Sequence, residues 1–291
     1  MTFTLCTLSI DGAATGCATI AGKTYRLADL GAPATVAGLF EDWPRWSAHL
    51  RAVAPHGAAL PAGSPVLAPL QFPGKILCAG ANYYDHSAEM GVQDLRKEAQ
   101  RLFFFFKPPR NAVVGPGPTV RMPIGTKAMD WEIELALVIG KTARNVSAAA
   151  AMAHVAAYTV AIDFSARDHN RAPETFYKLD WVAGKGHDTC CPMGPVLVPA
   201  EDIGDAMDLG LKLTVNGETK QNARTAGMIF NIAEQISTLS RIMTLDPGDV
   251  ILTGTPAGVG APKQRFLSVG DQVTAEIEKI GTLAVVIQAE G

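Results

Sequence analysis

Asp130, Glu132 and Glu134 occupy alternate positions in Asp130-Trp-Glu-Ile-Glu-Leu-Ala-Leu-Val-Ile139, a stretch that reads as one strand. Side chains alternate along a strand, so the three carboxylates point one way, while Trp131, Ile133, Leu135 and Leu137 point the other way and look like core. Carboxylates two residues apart on a strand are roughly 7 Å apart. At an effective dielectric of about 20, each ionised pair repels by about 2 kcal/mol. Two arrangements relieve this: a solvated face, as on any half-exposed antiparallel strand, or a divalent cation that turns repulsion into ligation.

The residues that follow favour the cation. Ser147 stands where it can cap a helix through Ala148 to Ala157, and Tyr158-Thr-Val-Ala-Ile-Asp163 reads as a β-branched strand ending in an acid. Strand, helix, strand is a crossover unit that can return Asp163 beside the other carboxylates. Neither strand contains a cysteine or histidine, so such a site suits Mg²⁺ or Mn²⁺, with Ca²⁺ also compatible, better than zinc.

His86 and Glu89 are three apart, a spacing that on a helical turn brings carboxylate to imidazole and orients a base; it is also the spacing of an ordinary surface pair. Lys185 lies in Gly184-Lys-Gly-His-Asp188, where flanking glycines allow close approach to a ligand oxygen; a solvated loop lysine is the alternative. Arg167, in Ser165-Ala-Arg-Asp168, either clamps a substrate carboxylate or pairs with Asp168. The Gly-rich turn Thr253-Gly-Thr-Pro-Ala-Gly-Val-Gly260 lets backbone and the Thr255 hydroxyl approach a small ligand. It lacks the phosphate-loop pattern, and GxGxxG in helix context, GxSxG and HExxH are missing from the chain, which disfavours nucleotide binding, serine hydrolysis and zinc proteolysis.

The elements that must position these groups are mixed α/β and β-rich. Residues 2 to 27 alternate as a small set of strands, Phe40 to Val53 reads as a helix, and a Pro/Gly-rich stretch from Pro55 to Pro65 marks a boundary between residues 55 and 72. This divides the chain into a small N-terminal domain, 1–72, and a catalytic domain, 73–291. In the latter, Lys75 to Gly80, Leu211 to Val215, Asp249 to Gly254, Gln272 to Glu278 and Thr282 to Gln288 read as strands, and Met228 to Met243 as a helix with one apolar face. Four adjacent phenylalanines, Phe103 to Phe106, look like core or subunit interface.

With 291 residues, 48% hydrophobic and 18% charged, the chain can bury a large core. A net charge of −3 with scattered basic residues gives no footprint for nucleic acid. Five cysteines without a CxxC pair argue against a disulfide framework, and no signal peptide or membrane span is evident, which together fit a reducing cytoplasm.

Taken in order, these motifs carry a resemblance. Gly80-Ala-Asn-Tyr-Tyr-Asp-His-Ser-Ala-Glu89, Phe106-Lys-Pro-Pro109, Glu132-Ile-Glu-Leu-Ala-Leu-Val-Ile-Gly140, Asp163-Phe-Ser-Ala-Arg-Asp168, Lys185-Gly-His-Asp188 and Pro247 to Gly260 stand in the order of the fumarylacetoacetate hydrolase family, which residues 73 to 291 resemble. The resemblance implies a rolled, partly open β-sandwich, a homodimer, and a divalent metal held by Glu132, Glu134 and Asp163. It implies His86 with Glu89 as the water-activating pair, Lys185 acting on the substrate, and Tyr83, Arg167, Asn170 and Thr255 as substrate contacts. Asn170 departs from the Arg-Asp-x-Gln common in the family, and His187 replaces a usual phenylalanine. Asp130 matches no family ligand and is either an outer-shell group or exposed.

The expected reaction is metal-dependent hydrolysis of a carbon–carbon bond in an acylpyruvate or related 2,4-dioxo acid, of the kind met in aromatic catabolism, giving pyruvate and a carboxylic acid. Alternatives on the same enolate chemistry are oxaloacetate decarboxylation or tautomerisation and isomerisation of a 2-hydroxy-diene-dioate. A non-catalytic 2-oxo acid binding protein is a further alternative. Arg110, Arg171 and Tyr177 are the loop residues expected to read the substrate's distal group.

Overall fold

Residues 1–290, apart from 57, 62, 93 and 94, are described in the computed structural model of the chain. Phe3–Ile10 and Ala13–Ile20 form a hairpin whose turn residues, Asp11 and Gly12, both have positive φ, the backbone that matches strand twist in a two-residue connection. With Lys23–Arg26 they form one edge of an eleven-stranded sheet. From that edge the order runs through Cys191–Pro199, Val155–Ile162, Ile133–Ile139, Val250–Leu252 and Ile76–Gly80 to Phe103–Lys107 at the opposite edge. A five-stranded sheet, ordered Glu218–Arg224, Gly210–Val215, Gln272–Ile277, Gly281–Gln288 and Gly117–Arg121, packs on the large one.

The two middle strands, 133–139 and 155–162, are almost wholly buried because both faces are covered. Ile133, Leu135 and Leu137 fill the space between the sheets with Leu213, Ile277 and Leu283. On the other face, the smaller Ala136 and Val138 share a core with Leu5, Phe40, Trp43 and Leu50, so the helix Trp43–Ala52 closes that side. Residues 1–72, read from the sequence as a small N-terminal domain, thus extend the large sheet, through Leu5 opposite Leu197, and roof it. The helix Ile232–Ile242 begins at a capping box between Asn231 and Glu234 and buries Ile232, Ile236 and Leu239.

Two local expectations are corrected. The alanine-rich helix does not reach Ala157: it spans Ala148–Ala151, tightens into a 3-10 turn over Met152–His154, and strand begins at Val155. The His154 carbonyl accepts from the Gly140 N–H, and its Nδ1 bonds the Lys141 carbonyl, which pins the chain back at that point. The unit is therefore no crossover. Strands 133–139 and 155–162 are antiparallel, with Ile133 opposite Ile162, and the Asp163 N–H donates to the Glu132 carbonyl at 2.8 Å. Nor is Asp130 part of the 133–139 strand; Met129–Asp130 pairs separately with Ser165–Ala166.

This register brings the chemistry to one end of the large sheet. Glu132 precedes the first central strand and Asp163 follows the second. Strands 76–80 and 250–252 run parallel to each other and antiparallel to 133–139, so the segments leaving them, 81–89 and 253–260, emerge at that same end.

Candidate active site

Glu132, Glu134 and Asp163 lie with one oxygen each within 4.8 Å of one another, and all three are buried. Glu132 and Glu134 line a cavity of about 280 Å³ together with His86, Lys185, Thr255, Arg167, Asn170, Phe105 and Trp181. Lys185 Nζ bridges the cluster, donating to Glu132 Oε2 at 2.7 Å and Asp163 Oδ2 at 2.6 Å. Arg167 holds the other Glu132 oxygen at 2.5 Å and Asp130 Oδ2 at 2.9 Å; it does not pair with Asp168, which accepts from the Thr126 hydroxyl and the Lys127 N–H.

A third cation went unrecognised in the sequence. Lys107 has no exposed surface; its Nζ donates to the carbonyls of Phe164 at 2.9 Å and Lys185 at 2.8 Å and lies 2.5 Å from Asp163 Oδ1. That contact is off the hydrogen-bonding direction, so the buried Oδ1 has no hydrogen-bond partner among the described residues. The signal was present: Phe103, Phe105 and Lys107 share a strand face by period two, and Phe105 is buried beside the cavity.

The charges leave one acid without a counter-ion. Asp130, Glu132, Glu134 and Asp163 bring four carboxylates, while Lys107, Arg167 and Lys185 bring three cations. Among the described residues Glu134 is the unpaired one and accepts only the Gly254 N–H, at 2.5 Å. Burial, reinforced by the charges of Asp163 and Glu132, pushes its carboxyl well above the usual carboxylate range. For Glu132, burial acts in the same direction, but Lys185 and Arg167 outweigh it and hold the carboxyl below that range. An all-oxygen cluster with one uncompensated carboxylate fits a hard divalent cation, and Glu132, Glu134 and Asp163 are the residues able to hold it.

His86 and Glu89 meet as their spacing predicts, Nδ1 to Oε1 at 2.8 Å, on the short helix Tyr84–Glu89. Glu89 is itself fixed, its Oε2 accepting from the Gly258 N–H at 2.9 Å. With Nδ1 taken, Nε2 is the nitrogen of His86 left for proton transfer. The Gly-rich turn serves the protein's own acids: Gly254 donates to Glu134, Gly258 to Glu89, and Gly260 to Asp130. Asp130 also accepts from Trp131 and Ala261, so it is a buried anchor for this turn and for Arg167 and is not exposed.

The expected substrate contacts separate. Thr255 lines the cavity, but its hydroxyl donates to the Ile133 carbonyl and accepts from Gln221 Nε2, both at 2.8 Å. Asn170 lines the cavity with its amide donating to the Asp180 carbonyl. Tyr83, expected at the substrate, is instead fully buried in the core between the sheets; its ring packs by Gly227 and its hydroxyl has no partner among the described residues. His187 Nε2 stands 3.3 Å from His169 Nδ1 and does not line the cavity.

Residues 75–288 match the family model described as the fumarylacetoacetate (FAA) hydrolase C-terminal region. The mitochondrial oxaloacetate tautomerase of Xenopus laevis is 42% identical over 221 residues, 75% of this chain and 67% of its own. Among solved structures, the chain is similar to a 2-hydroxyhepta-2,4-diene-1,7-dioate isomerase from Mycobacterium marinum, with a TM-score of 0.75, 32% identity and 99% of each chain covered. It is also similar to the fumarylpyruvate hydrolase from Pseudomonas aeruginosa in complex with Mn²⁺ and pyruvate, with a TM-score of 0.67 and 32% identity over 81% of this chain and 94% of that one. Matched along most of its length in sequence and fold, the chain belongs to the fumarylacetoacetate hydrolase family, whose members include hydrolases, isomerases and tautomerases.

Proposed function

We propose that this protein is a divalent-metal-dependent hydrolase that cleaves a carbon–carbon bond in a 2,4-dioxo acid of the acylpyruvate type. The observation that carries the reading is that an oriented base and an acidic cluster share one cavity: His86, held by Glu89 at 2.8 Å, lines it with Glu132, Glu134 and Lys185. Mg²⁺ or Mn²⁺ on Glu132, Glu134 and Asp163 would supply Lewis acidity toward the oxygens of a 2-oxo acid. His86 Nε2 takes a proton from water as the water oxygen bonds to the distal carbonyl carbon, while Glu89 stabilises the imidazolium. The carbon–carbon bond then breaks with its electron pair passing to the pyruvate enolate, Lys185 offsets the growing negative charge, and protonation at carbon gives pyruvate beside a carboxylic acid.

A second reading is oxaloacetate tautomerase, favoured by the 42% identity to a protein with that activity. The first is preferred because a further cavity of about 640 Å³ adjoins the chamber at Met90, Arg167 and Asn170, space that a four-carbon substrate does not need. The exposed faces of Phe103 and Phe106 on the sheet edge, beside exposed Ile242, support a homodimer. Five free cysteines, all buried, support a reducing cytoplasmic setting.

The test is pyruvate and carboxylic acid release from acylpyruvates, with Mn²⁺ and after chelation, by wild-type protein and by His86→Ala. Hydrolysis that needs Mn²⁺ and falls at least about 100-fold in His86→Ala is expected. Full activity in that variant refutes the role of the dyad, and turnover of oxaloacetate alone moves the assignment to the second reading.

A further inference from the structure

The larger cavity adjoins the chamber that holds the acidic cluster, with Met90, Arg167 and Asn170 lining both. Nearly every charge on its wall is already committed. Glu89 holds His86 and the Gly258 N–H, Asp168 holds Thr126 and the Lys127 N–H, and Arg167 holds Asp130 and Glu132. Arg171 alone of these ionisable groups makes no ion pair or side-chain hydrogen bond among the described residues. Its backbone is nevertheless fixed, by a bridge to Leu179 and by the Ala172 N–H donating to the Lys178 carbonyl at 3.1 Å. Of the other loop candidates for reading a distal group, Arg110 lies over the Phe72 ring at 4.9 Å and Tyr177 is 83% exposed; neither lines either cavity.

We propose that Arg171 is a specificity-determining residue that binds an anionic group, a carboxylate, at the distal end of the substrate. The inference rests on the reading of the smaller chamber as a 2-oxo acid site. The guanidinium, exposed at the mouth of this cavity beside Met90, Leu179, Pro262 and Phe266, offers a planar fork to both carboxylate oxygens.

The experiment measures binding, so it does not depend on which reaction follows. The Mn²⁺-loaded full chain is titrated calorimetrically with 2-oxoadipate, which carries a distal carboxylate, and with 2-oxohexanoate, which has the same length and no distal charge. Wild-type protein should bind the diacid about tenfold more tightly. Arg171→Met should abolish that preference without changing affinity for the monoacid, Arg171→Lys should keep part of it, and Arg110→Met should leave it intact. A preference that survives Arg171→Met, or that Arg110→Met removes equally, overturns the role of Arg171 while the 2-oxo acid site stands. If neither acid nor oxalate binds the wild-type protein, the reading of the smaller chamber fails and takes this inference with it.

Discussion

Replacing Lys107 by methionine should damage this protein more than replacing any surface ion-pair partner. The substitution keeps most of the stem volume, so packing changes little and the effect isolates the charge. What is lost is specific: two charge-assisted bonds to the carbonyls of Phe164 and Lys185 and one of the two counter-charges of Asp163, all at a site without exposed surface. Asp163 keeps Lys185 at 2.6 Å, but two buried carbonyls lose their donor, at about 1–3 kcal/mol each, and with the weakened ion pair the loss is about 3–5 kcal/mol. At about 2–4 °C per kcal/mol for a chain of this size, the chelated variant should melt roughly 6–20 °C lower. Urea unfolding should show a lower midpoint with an unchanged slope. Burial pulls the Lys107 pKa down, but Asp163 more than offsets it and the net direction is upward. A raised lysine stabilises fully below its unfolded value of about 10.4 and loses that contribution only as pH rises through the higher folded value, so the difference between the proteins should be flat from about pH 6 to 9. Adding Asp163→Asn should recover part of the loss, giving a coupling energy above about 1 kcal/mol. A Lys107→Met protein within about 1 kcal/mol of wild type, or strict additivity with Asp163→Asn, refutes the role of Lys107 as a buried partner of Asp163 and the two carbonyls.

Glu134 yields a prediction of opposite sign. Its carboxyl is raised by burial and by neighbouring acids, so it favours folding below the unfolded pKa of about 4.3 and that contribution shrinks as pH rises toward the folded value. Chelated protein should therefore lose stability on going from pH 4.5 toward neutrality while Mn²⁺ suppresses the loss, and Mn²⁺ titrations in buffers of different ionisation enthalpy at pH 6 should reveal proton release; none released contradicts the uncompensated carboxylate. Gly258→Ala puts a side chain against the Lys220 carbonyl at a φ of +109° and disturbs the N–H that fixes Glu89, so kcat should fall about 10- to 100-fold for a stability cost of about 1–3 kcal/mol, as read by steady-state kinetics and melting. Tyr83→Phe removes a core hydroxyl with no partner among the described residues, so kcat/KM should stay within about twofold and stability should not fall; a tenfold kinetic loss would return the phenol to the substrate.

Sequence by itself determined the β-rich class, the alternation that sends Ile133, Leu135 and Leu137 into one core, the His86–Glu89 contact, and the joining of Glu132, Glu134 and Asp163. These were legible because they depend on short-range geometry: a two-residue strand period, an i,i+3 helical turn, and motifs in a recognisable order. Tertiary structure decided the rest. Whether Asp163 arrives by a crossover or an antiparallel return depends on where a helix gives way to strand, and the backbone bonds at Gly140 and His154 set that point. Lys107 and the glycine N–H donors act on partners between 56 and 169 residues away, as with Asp163 and Lys107 or Gly258 and Glu89, and no local pattern encodes such pairings. Burial is likewise a property of the assembled sheets. It leaves four acids facing three cations and makes Glu134, indistinguishable from Glu132 by spacing, the carboxylate without a counter-charge.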